Sequence, residues 1–337
     1  MKYPDFIKEG DVIGITAPSD GVIDSLKQAR LNSAIHSFRE KGYKVIETEH
    51  VRCSNKGKSC DSKIQAKEVE ELFLDSKVSC IFCVGGGDFL LEMLPYFNYS
   101  IVEKNPKWIQ GYSDPTGLLF TITTRLDTAT IYGDNFKSFG MNPWHESLNH
   151  NYKILTGELI TQNNFLLYER ERTESVTGLE PYHLDSQVEW KNLNGENQIT
   201  LKGRIIGGCI DVLLSLVGTK FDRVKEFIER YKEDGIIWYF DNAELTSEQL
   251  IRGLWQMEMA GWFKYTKGIV FGRSMIECSY YDISFKEALE TALLKLGVPV
   301  LYDLDFGHVS PRMTIINGAI TQINYENGKG NIRFFLK

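Results

Sequence analysis

The sequence predicts an α/β protein with two domains, the first of them built on a doubly wound parallel sheet. The chain has 337 residues, which exceeds the size at which a single hydrophobic core usually stops growing. In its N-terminal half, short β-branched runs alternate with longer stretches of helical spacing, and this alternation is typical of a parallel sheet covered by helices. Ligands are therefore expected at the carboxyl ends of the strands.

The N-terminal elements follow from apolar spacing and turn residues. Gly42 marks the end of the first helix, since glycine commonly follows a helix. The predicted order is a strand at 11–19, a helix at about 23–41, a strand at 43–47, a helix at about 62–75, a strand at 78–84 and a strand ending at Gly111.

The stretch at 107–125 contains the most informative turn. Trp108 begins a short apolar run, a tight turn spans residues 111–114, and a helix follows with Pro115 in its first turn, where proline is favoured. Ser113 is thus predicted at a strand-to-helix turn, beside the free N–H groups of a helix N-terminus. Two interpretations stay open: Ser113 is a nucleophile, or it only caps the helix.

A glycine loop at residues 85–87, followed by Asp88, lies at the predicted end of the third strand. Glycines let the backbone approach a ligand and expose N–H groups, which suits a phosphate or an oxyanion. The loop lacks the spacing of dinucleotide sites and P-loops, so a plain tight turn is the alternative.

The C-terminal half repeats the pattern after a polar bridging segment. We predict a first domain at 1–168, a bridging segment at 169–202 and a second domain at 203–337. A strand at 235–240 leads to Asp241, which either faces a cleft or only caps the following helix. A strand that begins at Val298 ends on His308, for which a plain surface histidine is the alternative.

Three residues that each follow a strand, Ser113, Asp241 and His308, supply the groups that serine hydrolysis needs. These are a hydroxyl, an imidazole that takes its proton, and a carboxylate that holds the imidazole in the right tautomer.

Composition excludes other classes. A net charge of −7 without a cluster of Lys and Arg argues against a nucleic-acid surface. The absence of a signal-peptide core and of a membrane-spanning apolar stretch predicts a cytoplasmic protein without membrane contact. Cys80 and Cys83 lie in an apolar run without a second ligand pair, so we interpret them as small buried thiols and not as a metal site.

Ordered motifs over nearly the whole chain resemble the L,D-carboxypeptidases, which include muramoyltetrapeptide carboxypeptidases and microcin C immunity peptidases. The matching runs are GDVIGITAPS at 10–19, the glycine loop, LPY at 94–96, NPK at 105–107, GYSD at 111–114, YG at 132–133, GRIIGG at 203–208, LVGT at 216–219 and LDFGH at 304–308.

The resemblance implies a Rossmann-like (flavodoxin-like) N-terminal domain that carries the nucleophile Ser113. It also implies a C-terminal α/β domain with a barrel-like sheet that carries the acid and the base His308. The family's glutamate falls on Asp241, which is one methylene shorter, so its bond to His308 would be longer or would require closer backbones; Glu244 is the fallback acid. Gly86 and Asp114 would supply the oxyanion N–H groups.

The resemblance further implies a homodimer that works without a metal or other cofactor, and a small peptide or peptidyl-nucleotide substrate. Two substrates stay open: the L,D-peptide bond that releases D-alanine from murein tetrapeptide, or an aminoacyl-sulfamoyl adenylate. The rival from another class is a non-catalytic module in which residues 85–87 bind a phosphate or nucleotide.

Overall fold

A computed structural model describes residues 1–171 and 174–337. The strands are β1 (Val12–Thr16), β2 (Lys44–Glu47), β3 (Val78–Cys83), β4 (Trp108–Gly111), β5 (Thr130–Tyr132), β6 (Gln162–Asn163), β7 (Leu167–Tyr168), β8 (Ser186–Gln187), β9 (Lys191–Asn192), β10 (Gln198–Cys209), β11 (Ile236–Asp241), β12 (Thr266–Gly272), β13 (Val300–Leu304), β14 (Ile315–Asn317), β15 (Ile320–Glu326) and β16 (Lys329–Phe335). The helices are α1 (Ser25–Glu40), α2 (Ser62–Leu74), α3 (Tyr99–Lys104), α4 (Thr116–Leu126), α5 (Glu146–Leu155), α6 (Ile210–Leu216), α7 (Val224–Arg230), α8 (Ser247–Met259) and α9 (Phe285–Leu293).

The described chain clusters into two compact units. Unit 1 comprises Met1–Leu159, Glu171–His183 and Met313–Asn317, and unit 2 comprises Ile160–Arg170, Leu184–Arg312 and Gly318–Lys337. Each unit is therefore built from three ranges that are not contiguous in the sequence. The domain bounds predicted from the sequence stay a prediction, and the predicted bridging segment includes Arg172 and Thr173, which lie outside the described residues.

Unit 1 contains a six-stranded sheet in the order β14-β5-β4-β3-β1-β2. Strands β1 to β5 pair in parallel, and β14 is antiparallel to β5. The order β2-β1-β3-β4-β5 is the flavodoxin-like one, in which ligands bind where the strand order reverses, beside β1 and β3. The loops that follow β1, β3 and β4 carry Ser19, Gly86 and Ser113.

The first two helices of unit 1 begin after capping aspartates, which sequence reasoning did not name. Asp24 and Asp61 precede α1 and α2, and their carboxylates accept N–H bonds from the first turns, which satisfies donors that have no intrahelical partner. Helix α1 buries an apolar face of Leu31, Ala34, Ile35 and Phe38. The predicted α/β fold with two domains is confirmed.

Unit 2 contains an eight-stranded sheet in the order β6-β16-β15-β10-β11-β12-β13-β9. The central strands β10 to β13 are parallel, and the flanking strands are antiparallel. Strand β11 is buried along its whole length, so its apolar run brings Asp241 to the carboxyl edge of the sheet. The barrel-like form of this sheet stays a prediction.

Two further sequence expectations concern buried thiols and membranes. Cys80 and Cys83 are buried free cysteines in β3, as the apolar run predicted. Within residues 1–171 and 174–337, no helix combines the length and the apolar character that a membrane crossing requires.

Candidate active site

Ser113 occupies a strained turn in unit 1 between β4 and α4. Its φ of +71° lies in the left-handed region, which costs a residue other than glycine roughly 1–2 kcal/mol. Strain of this kind is concentrated at functional sites, where the surrounding structure holds it in place. The Thr116 N–H donates a hydrogen bond to the Ser113 carbonyl at 2.9 Å, which closes the turn.

Helix α4 begins directly after the Ser113 turn, and its N-cap residue is a proline. The helix begins at Thr116, the residue at its N-cap is Pro115, and this N-cap makes no side-chain hydrogen bond. The prediction that Pro115 lies inside the first turn is therefore off by one residue, although its backbone is already α-helical (φ −48°, ψ −20°). The nucleophile and the capping interpretations of Ser113 therefore both stay predictions.

Gly86 brings the loop after β3 against the Ser113 side chain. A Cβ atom added to Gly86 would lie 3.0 Å from both Cβ and Oγ of Ser113, and 3.7 Å from the backbone nitrogen of Asp114. Any larger residue would crowd the hydroxyl. Gly86, Ser113 and Asp114 thus lie together in unit 1, and the oxyanion role of the two backbone N–H groups stays a prediction.

Asp114 holds these loops together through its side chain. The carboxylate is buried and accepts bonds from the Ser19 hydroxyl and from the Leu90 N–H, the latter at 2.9 Å. Burial raises the pKa of the Asp114 carboxyl and the charge of Asp88 adds to the rise, while the bonds from Ser19 and Leu90 act in the opposite direction. Sequence reasoning gave Ser19 no role of its own, although it ends the first motif of the resemblance.

Lys137 is a second residue that sequence reasoning missed. A Cβ atom added to Gly85 would lie 2.9 Å from the Lys137 Nζ atom, so the ammonium group packs directly against the glycine loop. Lys137 lies in a short 3₁₀ turn after β5 and is half-buried. A lone lysine outside any motif gives no sequence signal for this placement.

Asp241 and His308 are in direct contact in unit 2. The Nδ1 atom of His308 lies 2.7 Å from Oδ2 of Asp241, and the His308 backbone N–H donates to Oδ1 at 3.2 Å. Asp241 is fully buried, and the His308 side chain is 10% exposed. Because an ionised carboxylate only accepts hydrogen bonds, Nδ1 is the donor in this contact.

Gly307 allows the shorter Asp241 side chain to reach His308. A Cβ atom on Gly307 would lie 2.2 Å from Oδ1 of Asp241, and the residue has a φ of +97°. The backbone before His308 therefore approaches Asp241 more closely than a side chain would allow. Of the two outcomes expected for a shorter acid, the structure has the closer backbone and not the longer bond.

Glu244 has a different environment. It is exposed, and its backbone N–H donates to Oδ1 of Asp211 at 2.9 Å. Asp211 also accepts the Ala243 N–H at 3.1 Å, so it fixes the loop after Asp241. The acid role stays a prediction for both residues, and the contact with His308 supports Asp241.

One group of potential metal ligands includes this pair. Single ligand atoms of Cys209, Asp241 and His308 all lie within 4.8 Å of one another, and all three residues are buried. Burial raises the pKa of the Cys209 thiol well above its ordinary value, and the charges of Asp241 and Asp211 add to the rise. Without a bound metal, the thiol is therefore protonated at neutral pH.

Both halves of the chain are similar to domains of known proteins. The LD-carboxypeptidase N-terminal domain matches residues 13–133, and the LD-carboxypeptidase C-terminal domain matches residues 202–323.

Individual relatives are similar to this chain over nearly its whole length. The Escherichia coli microcin C7 self-immunity protein MccF is 26% identical over 325 residues, which are 94% of this chain and 92% of that protein. A probable murein peptide carboxypeptidase of Bacillus subtilis is 22% identical over 331 residues, with coverages of 95% and 91%. A structure of MccF in complex with aspartyl sulfamoyl adenosine aligns with a TM-score of 0.81 at 23% identity, covering 99% of each chain. From the two domain matches together, the chain belongs to the LD-carboxypeptidase family of peptidases.

Proposed function

We propose that this protein is a serine peptidase that hydrolyses an amide bond next to a free carboxylate, such as the L,D-peptide bond that releases D-alanine from murein tetrapeptide. The observation that carries the proposal is the contact between His308 and the buried Asp241. It fixes one imidazole tautomer, which a general base in serine hydrolysis requires. The strained turn at Ser113 supports the choice of nucleophile.

In the proposed reaction, Nε2 of His308 takes the hydroxyl proton as Oγ of Ser113 attacks the amide carbon. Asp241 stabilises the imidazolium that forms. The N–H groups of Gly86 and Asp114 donate to the oxyanion, and one such donor contributes roughly 3–4 kcal/mol to lowering the barrier. The intermediate collapses when His308 returns the proton to the leaving amine, and a water molecule then hydrolyses the acyl-enzyme by the same route.

Lys137 offers a reason why the substrate would carry a free carboxylate. Its ammonium group packs against the glycine loop that also contacts Ser113. A cation there would attract a carboxylate placed near the scissile bond. We propose that Lys137 recognises this carboxylate, and that replacing it with methionine raises KM more than it lowers kcat.

A second substrate is favoured by one comparison. MccF is the relative with 26% identity, and one of its structures contains aspartyl sulfamoyl adenosine. The alternative is therefore an immunity-type peptidase that hydrolyses aminoacyl-sulfamoyl adenylates with the same residues. Incubation with UDP-MurNAc-tetrapeptide and with an aspartyl sulfamoyl adenylate, followed by mass spectrometry, separates the two by the released product.

The decisive experiment for a serine mechanism is labelling with a fluorophosphonate probe. We expect covalent labelling of the intact protein and none of Ser113→Ala, because the reagent requires an activated hydroxyl. Ser19→Ala is the control for loss of a nearby hydroxyl and should still be labelled. The serine mechanism is wrong if the intact protein is not labelled and cleaves neither substrate. The protein would then be a non-catalytic module in which residues 85–87 bind a phosphate.

The homodimer and the cytoplasmic location belong to the same proposal. Light scattering coupled to size-exclusion chromatography measures the mass in solution, and a value near one chain would contradict the dimer. Fractionation of the native host tests the location.

A further inference from the structure

A second group of ligand-type side chains lies in unit 1, apart from every residue assigned above. His50 follows β2, Cys60 precedes α2, and Glu68 lies within α2. One ligand atom of each lies within 4.8 Å of the others. Nδ1 of His50 contacts Oε1 of Glu68 at 2.5 Å, and the His50 backbone N–H donates to the same oxygen at 3.2 Å.

The second carboxylate oxygen of Glu68 provides an independent observation. Glu68 is 5% exposed, and among the residues that the structure describes its Oε2 atom is buried without a hydrogen-bond partner. Buried polar atoms are nearly always paired, and a charged oxygen without a partner is costly. A cation bound by this carboxylate would remove that cost.

We propose that His50, Cys60 and Glu68 form a zinc site, which we call the α2 site. Imidazole, thiolate and carboxylate are the three side-chain groups that zinc prefers, with bond lengths of about 2.0–2.3 Å. Tetrahedral geometry at those lengths separates ligand atoms by roughly 3.3–3.8 Å. The cluster thus needs small side-chain shifts, and the Cys60 thiol and the His50 Nδ1 lose their protons to solvent on binding.

The fourth position of a tetrahedral site can be filled by water. Cys60 lines a cavity of about 760 Å³, which gives a metal ion a route from solvent. The structure therefore provides access from solvent for the metal ion and for that water.

The α2 site has a structural consequence, because Ser59 is next to Cys60. The Ser59 backbone N–H donates to the Ser19 carbonyl at 2.9 Å, and its hydroxyl donates to the Ala17 carbonyl at 2.6 Å. Ser19 in turn donates to Asp114. A metal that fixes Cys60 would stabilise the loop after β1 without taking part in hydrolysis.

The test uses the full chain, stripped with a chelator and titrated with Co²⁺ and then Zn²⁺. We expect one cobalt ion per chain, with the near-ultraviolet absorption of a cobalt–thiolate bond, which zinc removes. Saturation at 100 times Kd should raise Tm by roughly 5–10 °C, given the linkage relation and the size of the unit.

Matched variants locate the metal. Cys60→Ser should abolish the thiolate band, and Glu68→Gln, which keeps the volume, should weaken binding at least tenfold. Cys278→Ser, which removes an exposed thiol of unit 2, and Cys209→Ser, which removes the thiol of the other ligand group, should leave the band unchanged. Circular dichroism and the metal-free Tm check that each variant folds.

Two results would overturn the proposal. One is a cobalt spectrum without a thiolate band in the folded wild-type chain. The other is a band that survives Cys60→Ser and disappears in Cys209→Ser, which would assign the metal to the group around His308.

Discussion

Replacing Gly307 with alanine tests whether the contact between Asp241 and His308 matters for activity. The new Cβ atom would lie 2.2 Å from Oδ1 of Asp241, whereas a carbon and an oxygen that are not bonded stay about 3.3 Å apart. The carboxylate would have to withdraw by about 1 Å. A misplacement of that size costs about 10²-fold in rate, and full loss of the contact about 10⁴-fold. We expect kcat to fall within this range.

Gly297→Ala is the matched control, because both glycines lie in unit 2 with positive φ, +97° and +64°. Each substitution carries the left-handed strain of roughly 1–2 kcal/mol, but nothing lies within 4 Å of a Cβ on Gly297. Steady-state hydrolysis of the better substrate is measured for both variants, together with Tm. Backbone strain should lower Tm in both variants, whereas displacement of the Asp241 carboxylate should lower kcat only in Gly307→Ala. Equal activity of the two variants at equal Tm would refute the reasoning.

Three other outcomes follow from the same geometry. Asp241→Asn should lower kcat by orders of magnitude with little change in KM, and Glu244→Gln should do much less; the reverse order in a steady-state assay would make Glu244 the acid. Iodoacetamide should label the exposed Cys53 and Cys278 in the folded protein. It should not label Cys209, because the raised pKa of this buried thiol leaves almost no reactive thiolate at pH 8. Mass spectrometry before and after unfolding measures the labelling. Turnover well below Tm should be unaffected by EDTA, because the proposed chemistry needs no metal, and restoration of lost turnover by zinc would contradict it.

Local signals in the sequence were sufficient to predict strands β1 to β4 and helices α1, α2 and α4 of unit 1. The β-branched run at the start of the chain, the helical spacing that follows it and Gly42 each act over a few residues, and the observed bounds differ from the predicted ones by only a few positions. The strand β14 could not be predicted in this way. Its three residues, Ile315–Asn317, pair with β5, although some 180 positions of chain separate them, and so short a run has no periodicity of its own.

For the candidate site, the sequence predicts residue types that follow strands but not the contacts that these residues make. Ser19 and Asp114 are 95 positions apart, and Lys137 reaches the glycine loop only because of how β5 and the following turn are placed. Motif spacing reports which residues follow strands, because strand ends share an edge of the sheet. It does not report which side chains meet there, since that depends on packing between distant segments.

The contact between Asp241 and His308 shows that side-chain length alone is a poor guide to whether a carboxylate reaches a histidine. Asp241 forms a 2.7 Å bond with the His308 side chain and also accepts the His308 backbone N–H, so one carboxylate fixes both the ring and the chain that carries it. This is possible because Gly307 leaves room for the backbone to approach. A glutamate at the same strand end would place its carboxylate about one methylene farther out, where the Gly307 and His308 backbone now lies. Aspartate and the glycine before the histidine therefore act as a pair, and the length of the acid has meaning only together with the backbone that it meets.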